Sequence, residues 1–350
     1  MINIDGSQGE GGGQIIRSAL ALAAVTGKPF TVYNVRAGRK KPGLKRQHVT
    51  CVKAARDICG AQVEGDVLQS SKLVFVPGEI KPGEYRFSIG TAGSSSLVAQ
   101  TVLPALMMAQ APSKVTVEGG THNEFAPPYD FLERVYLRQV TKMGPQFAIN
   151  IETYGFYPVG GGKFSVSITP ASELRGLEIM NRDSKTKARI HALVANLPLH
   201  IAEREVDVLR RKGNWPQSQC FARSVESPGP GNVVMLELDS QNVNEIVTGF
   251  GRRGVKAEQV ARAVYRQARD YLESDIPVGE YLADQLLLPT GFAASKGHTS
   301  RFVTGALSLH STTHIEILKL FLDIEIEVTE LDEKSFEICV SPTAAAGQEE

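Results

Sequence analysis

Three stretches of this chain carry the same order of elements, and that repetition limits the possible folds more than any composition can. In the first, "MINID" is strand-like, "GQIIRSALALAAVTG" has helical spacing and ends in glycine, "FTVYNVRAG" is strand-like, "RQHVTCVKAARDICGA" is helical, and "LVFVPG" belongs to a closing hairpin. The second runs from "YRFSIG" through the loop "GTAGSSS" to the helical "LVAQTVLPALMMAQ". It continues with the strand "SKVTVEGG", the helix "PPYDFLERVYLRQVTKMG" and paired strands up to "GGGKFSVSITP". "GEYLADQLLLPTGFAAS", "RFVTGALSL", "HSTTHIEILKLFL" and "DIEIEVTELDEKSFEICV" make the third. Units of roughly sixty residues, each with a loop before its first helix, predict a threefold pseudo-repeat in an α/β (α+β) fold.

Residues 186–274 break the pattern. "KARIHALVAN", "IAEREVDVLRRKG", the turn "SPGPGN", "VVMLELD" and "AEQVARAVYRQARDYLES" read as β, α, β, α, enough for a smaller α/β domain inserted before the third repeat. The expected division is therefore a large domain over 1–185 plus 275–340, an insert over 186–274, and a flexible tail over 341–350.

With 350 residues, 42% of them hydrophobic and 22% charged, the chain can bury a sizeable core. Its 38 basic and 38 acidic side chains cancel, so a polyanion must be held by a local patch, not by the global field. Cys51, Cys59, Cys220 and Cys339 lie far apart without a CxxC pair, which argues against a zinc site or a disulfide framework and for a reducing cytoplasm. The N-terminus shows no basic and apolar leader, and no apolar run approaches the ~20 residues of a membrane span. No membrane partner is expected.

Four stretches can carry chemistry. "GEGGGQIIRS", Gly9 to Ser18, resembles a phosphate loop, but it has neither the Gly-Lys-Ser/Thr of a Walker loop nor the last glycine of a dinucleotide fingerprint, where Gln14 stands instead. Amides at a helix start attract anions, and Glu10 among them suits a divalent cation such as Mg²⁺ or Mn²⁺, with Arg17 facing the same pocket. A flexible glycine turn with a solvated Glu fits this stretch alone equally well. "RAGRKKPGLKRQH" gathers Arg36, Arg39, Lys40, Lys41, Lys45, Arg46 and His48 on a loop at a strand end, a patch suited to a phosphodiester backbone, or else a solvated face.

"ALSLHSTTHIEIL" puts His310 at a strand-to-helix junction with Ser311, Thr312 and Thr313 as caps; a neutral imidazole there is either a nucleophile or a cap. His314 lies four residues on, but the pair lacks a third zinc ligand. "VGEYLADQLLLP", with Glu280, Tyr281, Asp284 and Gln285, and Gln100 in "SLVAQTVLP" supply either helix caps or an aromatic face and polar groups for a purine.

Together, "GEGGGQIIRSALALA", "RAGRKKPGLKRQH", "EYRFSIGTAGS", "GFYPVGGG", "VGEYLADQLLLP" and the late histidine resemble the RNA 3′-terminal phosphate cyclase family over almost the whole chain, to about Val340. The resemblance implies three βαβαββ units with an insert, and an ATP-dependent conversion of an RNA 3′-phosphate to a 2′,3′-cyclic phosphate through a histidyl-AMP and an RNA adenylate. It implies His310 as nucleophile, with Glu10, Arg17 and Arg39 beside it and Glu10 as the metal seat. It implies an ATP site on Gln100, Pro127, Asp130, Tyr281, Leu282, Ala283, Asp284, Gln285 and His310, and RNA-phosphate contacts from Arg36, Arg39, Lys40, Arg46, Gln47 and His48. Where relatives commonly carry asparagine, this chain has His314. A non-catalytic branch of the family that serves ribosome assembly lacks the histidine, and the enolpyruvyl transferases share the triplication without a histidyl nucleotide.

Overall fold

The computed structural model describes residues 1–182 and 186–343. The first unit is β1 (Ile2–Asp5), α1 (Gly13–Thr26), β2 (Phe30–Tyr33), α2 (Arg46–Cys59), β3 (Gln62–Glu64) and β4 (Leu73–Val76). The second is β5 (Glu84–Ser88), α3 (Ser95–Leu106), β6 (Ser113–Gly119), α4 (Tyr129–Phe131) running on through a π-helical turn into α5 (Leu137–Lys142), β7 (Gln146–Thr153) and β8 (Gly162–Thr169). Their sheets have the same order, β1-β2-β4-β3 and β5-β6-β8-β7, with the first pair parallel and the others antiparallel.

The third unit begins earlier than the sequence suggests. Its opening strand is β9 (Glu178–Ile179), which pairs in parallel with β14 (Ser300–Thr304). Between them come the inserted β10 (Lys187–Ala195), α6 (His200–Gly213), β11 (Cys220–Ser224), β12 (Gly231–Asp239), β13 (Asn244–Phe250) and α7 (Ala257–Ser274), followed by α8 (Glu280–Ala294). After β14 come α9 (Leu309–Phe321), β15 (Ile324–Glu330) and β16 (Phe336–Pro342), and the sheet order β15-β16-β14-β9 completes a third βαβαββ unit. The insertion thus enters between the first strand and first helix of this unit. Two residues of strand are too short to show an alternating pattern, so β9 is silent in the sequence.

Inside the insert the order is β, α, β, β, β, α, with the sheet β11-β10-β12-β13, where the sequence suggests only β, α, β, α. The extra strands are "FARS" and its neighbour Cys220, and "NEIVTGF". This sheet and its two helices bury a separate cluster around Ile190, Leu209, Leu236 and Val264. Residues 183–185, next to the expected boundary, lie outside the described residues, as do 344–350 of the expected tail; Ser341 and Pro342 of that tail are strand.

The main core lies where the helices of the three units meet. α1 is buried at every position from Gln14 to Ala24 except Arg17, and it packs on α2, α3 and α9, while α8 packs on α9. A helix apolar all round belongs in the interior. Phe30 of the first unit stacks on Phe75 at 5.6 Å and meets Phe321 of the third edge-on at 6.0 Å. Among the described residues no helix is long and apolar enough to cross a membrane.

Candidate active site

The packing that buries α1 brings its N-terminus against the first turns of α8 and α9. α1 begins after Gly12 with no side-chain cap, so its leading amides are free for an anion. α9 is capped by Ser308, whose Oγ accepts from the Ser311 N–H at 3.2 Å, so the caps suggested at Ser311–Thr313 are displaced by one turn and His310 falls inside the first turn. Thr313 serves otherwise: its Oγ1 accepts from the Glu10 N–H at 2.9 Å and donates to Leu309 O at 2.6 Å, tying the glycine run to α9. Gly9 is left-handed (φ 55°), and a Cβ there would run into Thr313. A Cβ on Gly13 would run into His48 and Arg17.

A hydrogen-bond chain then fixes the proton on His310. The Asp284 carboxylate can only accept, so the side chain 2.6 Å from its Oδ1 presents the Gln14 amide nitrogen. Gln14 Oε1 therefore faces His310 Nδ1, at 2.8 Å, and that ring nitrogen must be the N–H. Nε2 is left with its lone pair free. His314 backs the chain, its Nδ1 lying 3.0 Å from Asp284 O and 3.1 Å from Oδ1, both acceptors. Burial opposes ionisation of Asp284, yet the hydrogen bond and charge of His314, the charge of His310 and the Gln14 bond hold its carboxyl below the usual range. Burial pushes the His310 imidazole down, reinforced by Arg17 and Arg39 against the opposing pull of Asp284, so the ring is neutral at pH 7.

Glu10 approaches His310 Nε2 with its Oε1 at 3.7 Å. Arg39 ion-pairs with that oxygen and also donates to Glu10 O at 2.8 Å. The other carboxylate oxygen of Glu10 is buried without a partner. Arg17 is partly buried near Gly13 and His48, within the field of Asp284. The structure thus gathers Glu10, Arg17, Arg39, Asp284 and His310, and adds two groups that sequence reasoning did not assign, Gln14 and His314. Gln14 was visible only as a defect in a phosphate fingerprint.

Beside this cluster, Gln100 Nε2 donates to Gln285 Oε1 at 2.5 Å, joining α3 to α8, and Tyr281 is 70% exposed. Leu282 and Ala283, expected in the same nucleotide site, point into the core, leaving only their backbone to a ligand. Pro127 is partly exposed ahead of α4. Asp130 is held elsewhere: it pairs with His122 at 2.9 Å and with Arg134 at 3.2 Å, and Arg134 reaches Glu237 of the insert. Its carboxylate is thus spent at the junction with the insert.

The basic loop divides in the same way. Arg39, Lys40, Lys41, Lys45 and Arg46 are exposed. Arg36, expected among the phosphate contacts, is buried and donates to Lys41 O and Gly43 O, both at 2.8 Å, because its left-handed backbone (φ 54°) turns it under the loop. His48 is buried too. It accepts from the Lys45 N–H at 3.1 Å, and burial together with Arg17, Arg36 and Lys45 pushes it down to about 3, so it carries no charge for RNA. Gln47 Oε1 accepts from the Ser94 N–H at 2.8 Å.

The family model described as RNA 3′-terminal phosphate cyclase matches residues 8–328. Among curated proteins, the chain is 45% identical over 348 residues to the RNA 3′-terminal phosphate cyclase of Koribacter versatilis, covering 99% of this chain and 97% of that one. It is 46% identical over 331 residues to the protein of the same name from Salmonella paratyphi C, covering 94% of each.

Proposed function

This chain belongs to the RNA 3′-terminal phosphate cyclase family, an enzyme family whose reaction is the ATP-dependent cyclisation of an RNA 3′-phosphate, and from that premise we propose that His310 carries AMP covalently. The observation that supports this is the chain Asp284–Gln14–His310, which protonates Nδ1 and presents Nε2 as a neutral nucleophile.

Nε2 attacks the α-phosphorus of ATP. The N–P bond forms, the bond to the β-phosphate oxygen breaks, and pyrophosphate leaves. As the ring becomes cationic its Nδ1–H bond to Gln14 strengthens, with the Asp284 charge one residue behind. Arg17 and Arg39 offset the charge of the departing pyrophosphate. An oxygen of the RNA 3′-phosphate then attacks the AMP phosphorus and displaces His310, and the vicinal 2′-OH attacks the phosphorus of the RNA 3′-phosphate, losing its proton to solvent and releasing AMP. Tethering is worth ~7–11 kcal/mol in such a closure, so this step needs least from the protein. The exposed face of Tyr281 and the Gln100–Gln285 pair suit a purine.

A divalent metal fits the unpartnered oxygen of Glu10. Among the described residues no group of three His, Cys, Asp or Glu could hold one unaided, so phosphate oxygens and water would have to complete its coordination, as Mg²⁺ prefers. Such an ion would neutralise phosphate charge.

Two outcomes test this reading. The neutral imidazole is the nucleophile and protonation removes it, so a lowered pKa carries activity to lower pH. Self-adenylation should therefore stay level above pH 6.5, the ordinary histidine value, and fall only below it. A midpoint at or above that value contradicts the assignment. On the basic loop, Lys40→Ala and Arg46→Ala should each lower the log-log salt slope of RNA binding by roughly 0.7 and spare self-adenylation. Arg36→Ala should instead cost about 1–3 kcal/mol of stability by leaving two carbonyls unpaired. Equal salt slopes for all three variants and wild type would make the loop a solvated face.

A further inference from the structure

The motif "GFYPVGGG" has no part in the chemistry above, yet it faces a second loop in an unusual arrangement. His122 bridges to Phe156, and the amides of Thr121 and His122 both donate to Gly155 O, at 2.9 and 3.1 Å. Above this buried layer two aromatic rings are displayed to solvent: Phe125 is 96% exposed and Tyr157 is 78% exposed. Phe125 also has a left-handed backbone (φ 63°), a strained conformation for a side chain of its size. The loop is held in place around it: Asn123 Nδ2 donates to Ala92 O at 2.7 Å, and Glu124 pairs with Arg252 at 2.6 Å. A fixed, strained backbone that presents a bare ring to water points to a ligand for that ring.

Charge tells which ligand. Arg252, Arg253 and Lys256 are exposed on one flank. On the other, Gly160 abuts Ala92, two residues before Ser94, whose N–H is held by Gln47 next to exposed Arg46. The loops that carry the rings thus touch the insert through the Glu124–Arg252 pair and the start of α2 through Ala92, Ser94 and Gln47; in the basic loop ahead of α2, Arg39 pairs with Glu10 beside His310. Aromatic faces flanked by cations take single-stranded nucleic acid, since every base has a stacking face and every linkage a charge.

We propose that Phe125 and Tyr157 form a stacking platform for unpaired nucleotides 5′ of the terminal phosphate, with Arg253 and Lys256 meeting the backbone. The proposal rests on RNA being the substrate, as argued above. It makes affinity depend on the length of the single strand and little on its sequence.

The test compares a 3′-phosphorylated dinucleotide with a longer single-stranded oligonucleotide. Phe125→Ala and Tyr157→Ala should each raise KM for the longer RNA roughly tenfold, and leave the dinucleotide and self-adenylation unchanged. Phe125→Trp should restore binding and Phe125→Leu should not. Equal losses on both lengths, rescue by leucine as complete as by tryptophan, a changed KM for ATP, or a change of oligomeric state on alanine substitution would each overturn the platform. Fluorescence anisotropy of the labelled longer oligonucleotide without ATP reads the platform apart from the reaction. Weaker binding by the alanine variants supports it even if no cyclic product forms, and unchanged binding refutes it even if cyclisation is normal.

Discussion

His310→Ala should lose ATP-driven cyclisation by roughly a million-fold, the scale seen when a nucleophile is removed from a site that otherwise remains assembled. The same variant should still close the ring of a synthetic RNA whose 3′-phosphate already carries AMP. The two outcomes follow from one division of labour. The histidine is needed to split ATP, because its free Nε2 lone pair is what takes up the α-phosphate; the 2′-OH is already tethered on the ribose beside the phosphorus it attacks. Chromatography of labelled oligonucleotides distinguishes the products. Undiminished cyclisation from ATP by the alanine variant contradicts the account, and so does failure to close the preadenylated end at near wild-type rate.

Gln14→Leu should come next in size, slowing self-adenylation by roughly a hundred- to ten-thousand-fold. Leucine keeps the volume but severs both bonds of the chain, at 2.6 Å to Asp284 and 2.8 Å to His310. His310 then loses the acceptor that selects its tautomer, and a histidine in the wrong tautomer costs about 10⁴ where this has been isolated. Because Asp284 keeps His314 as a partner, the fold should lose only about 1–2 kcal/mol. Thermal melting beside single-turnover adenylation separates the effects. A variant as fast as wild type would show that the chain to Asp284 does not set the ring.

The parts of this protein legible in its sequence are those with a period. α1, with eleven apolar or small residues among the thirteen between two glycines, and the hairpin β15–β16 are visible because many residues agree. β9 is not, since two residues have no period, and the entry point of the insert is hidden with it. The site follows a related rule. His310, Glu10 and Arg39 are chemically marked by their type and neighbours, and they meet in space. Whether a charge in a basic run faces out is decided by backbone φ and tertiary contacts, so Arg36 and His48 cannot be told from Lys40 and Arg46 in the sequence. Gln14 is harder still. A glutamine acquires meaning only from its two partners, and these lie 270 and 296 residues away.

The most direct test of His310 as AMP carrier is to incubate the protein with α-labelled ATP and Mg²⁺ or Mn²⁺, denature it, and map the labelled atom. The account predicts one label on the peptide containing His310, acid-labile and stable to alkali as a phosphoramidate is, with phosphorus NMR placing the bond on Nε2. Label on a carboxylate or lysine, on His314, or on Nδ1 of His310 would contradict it.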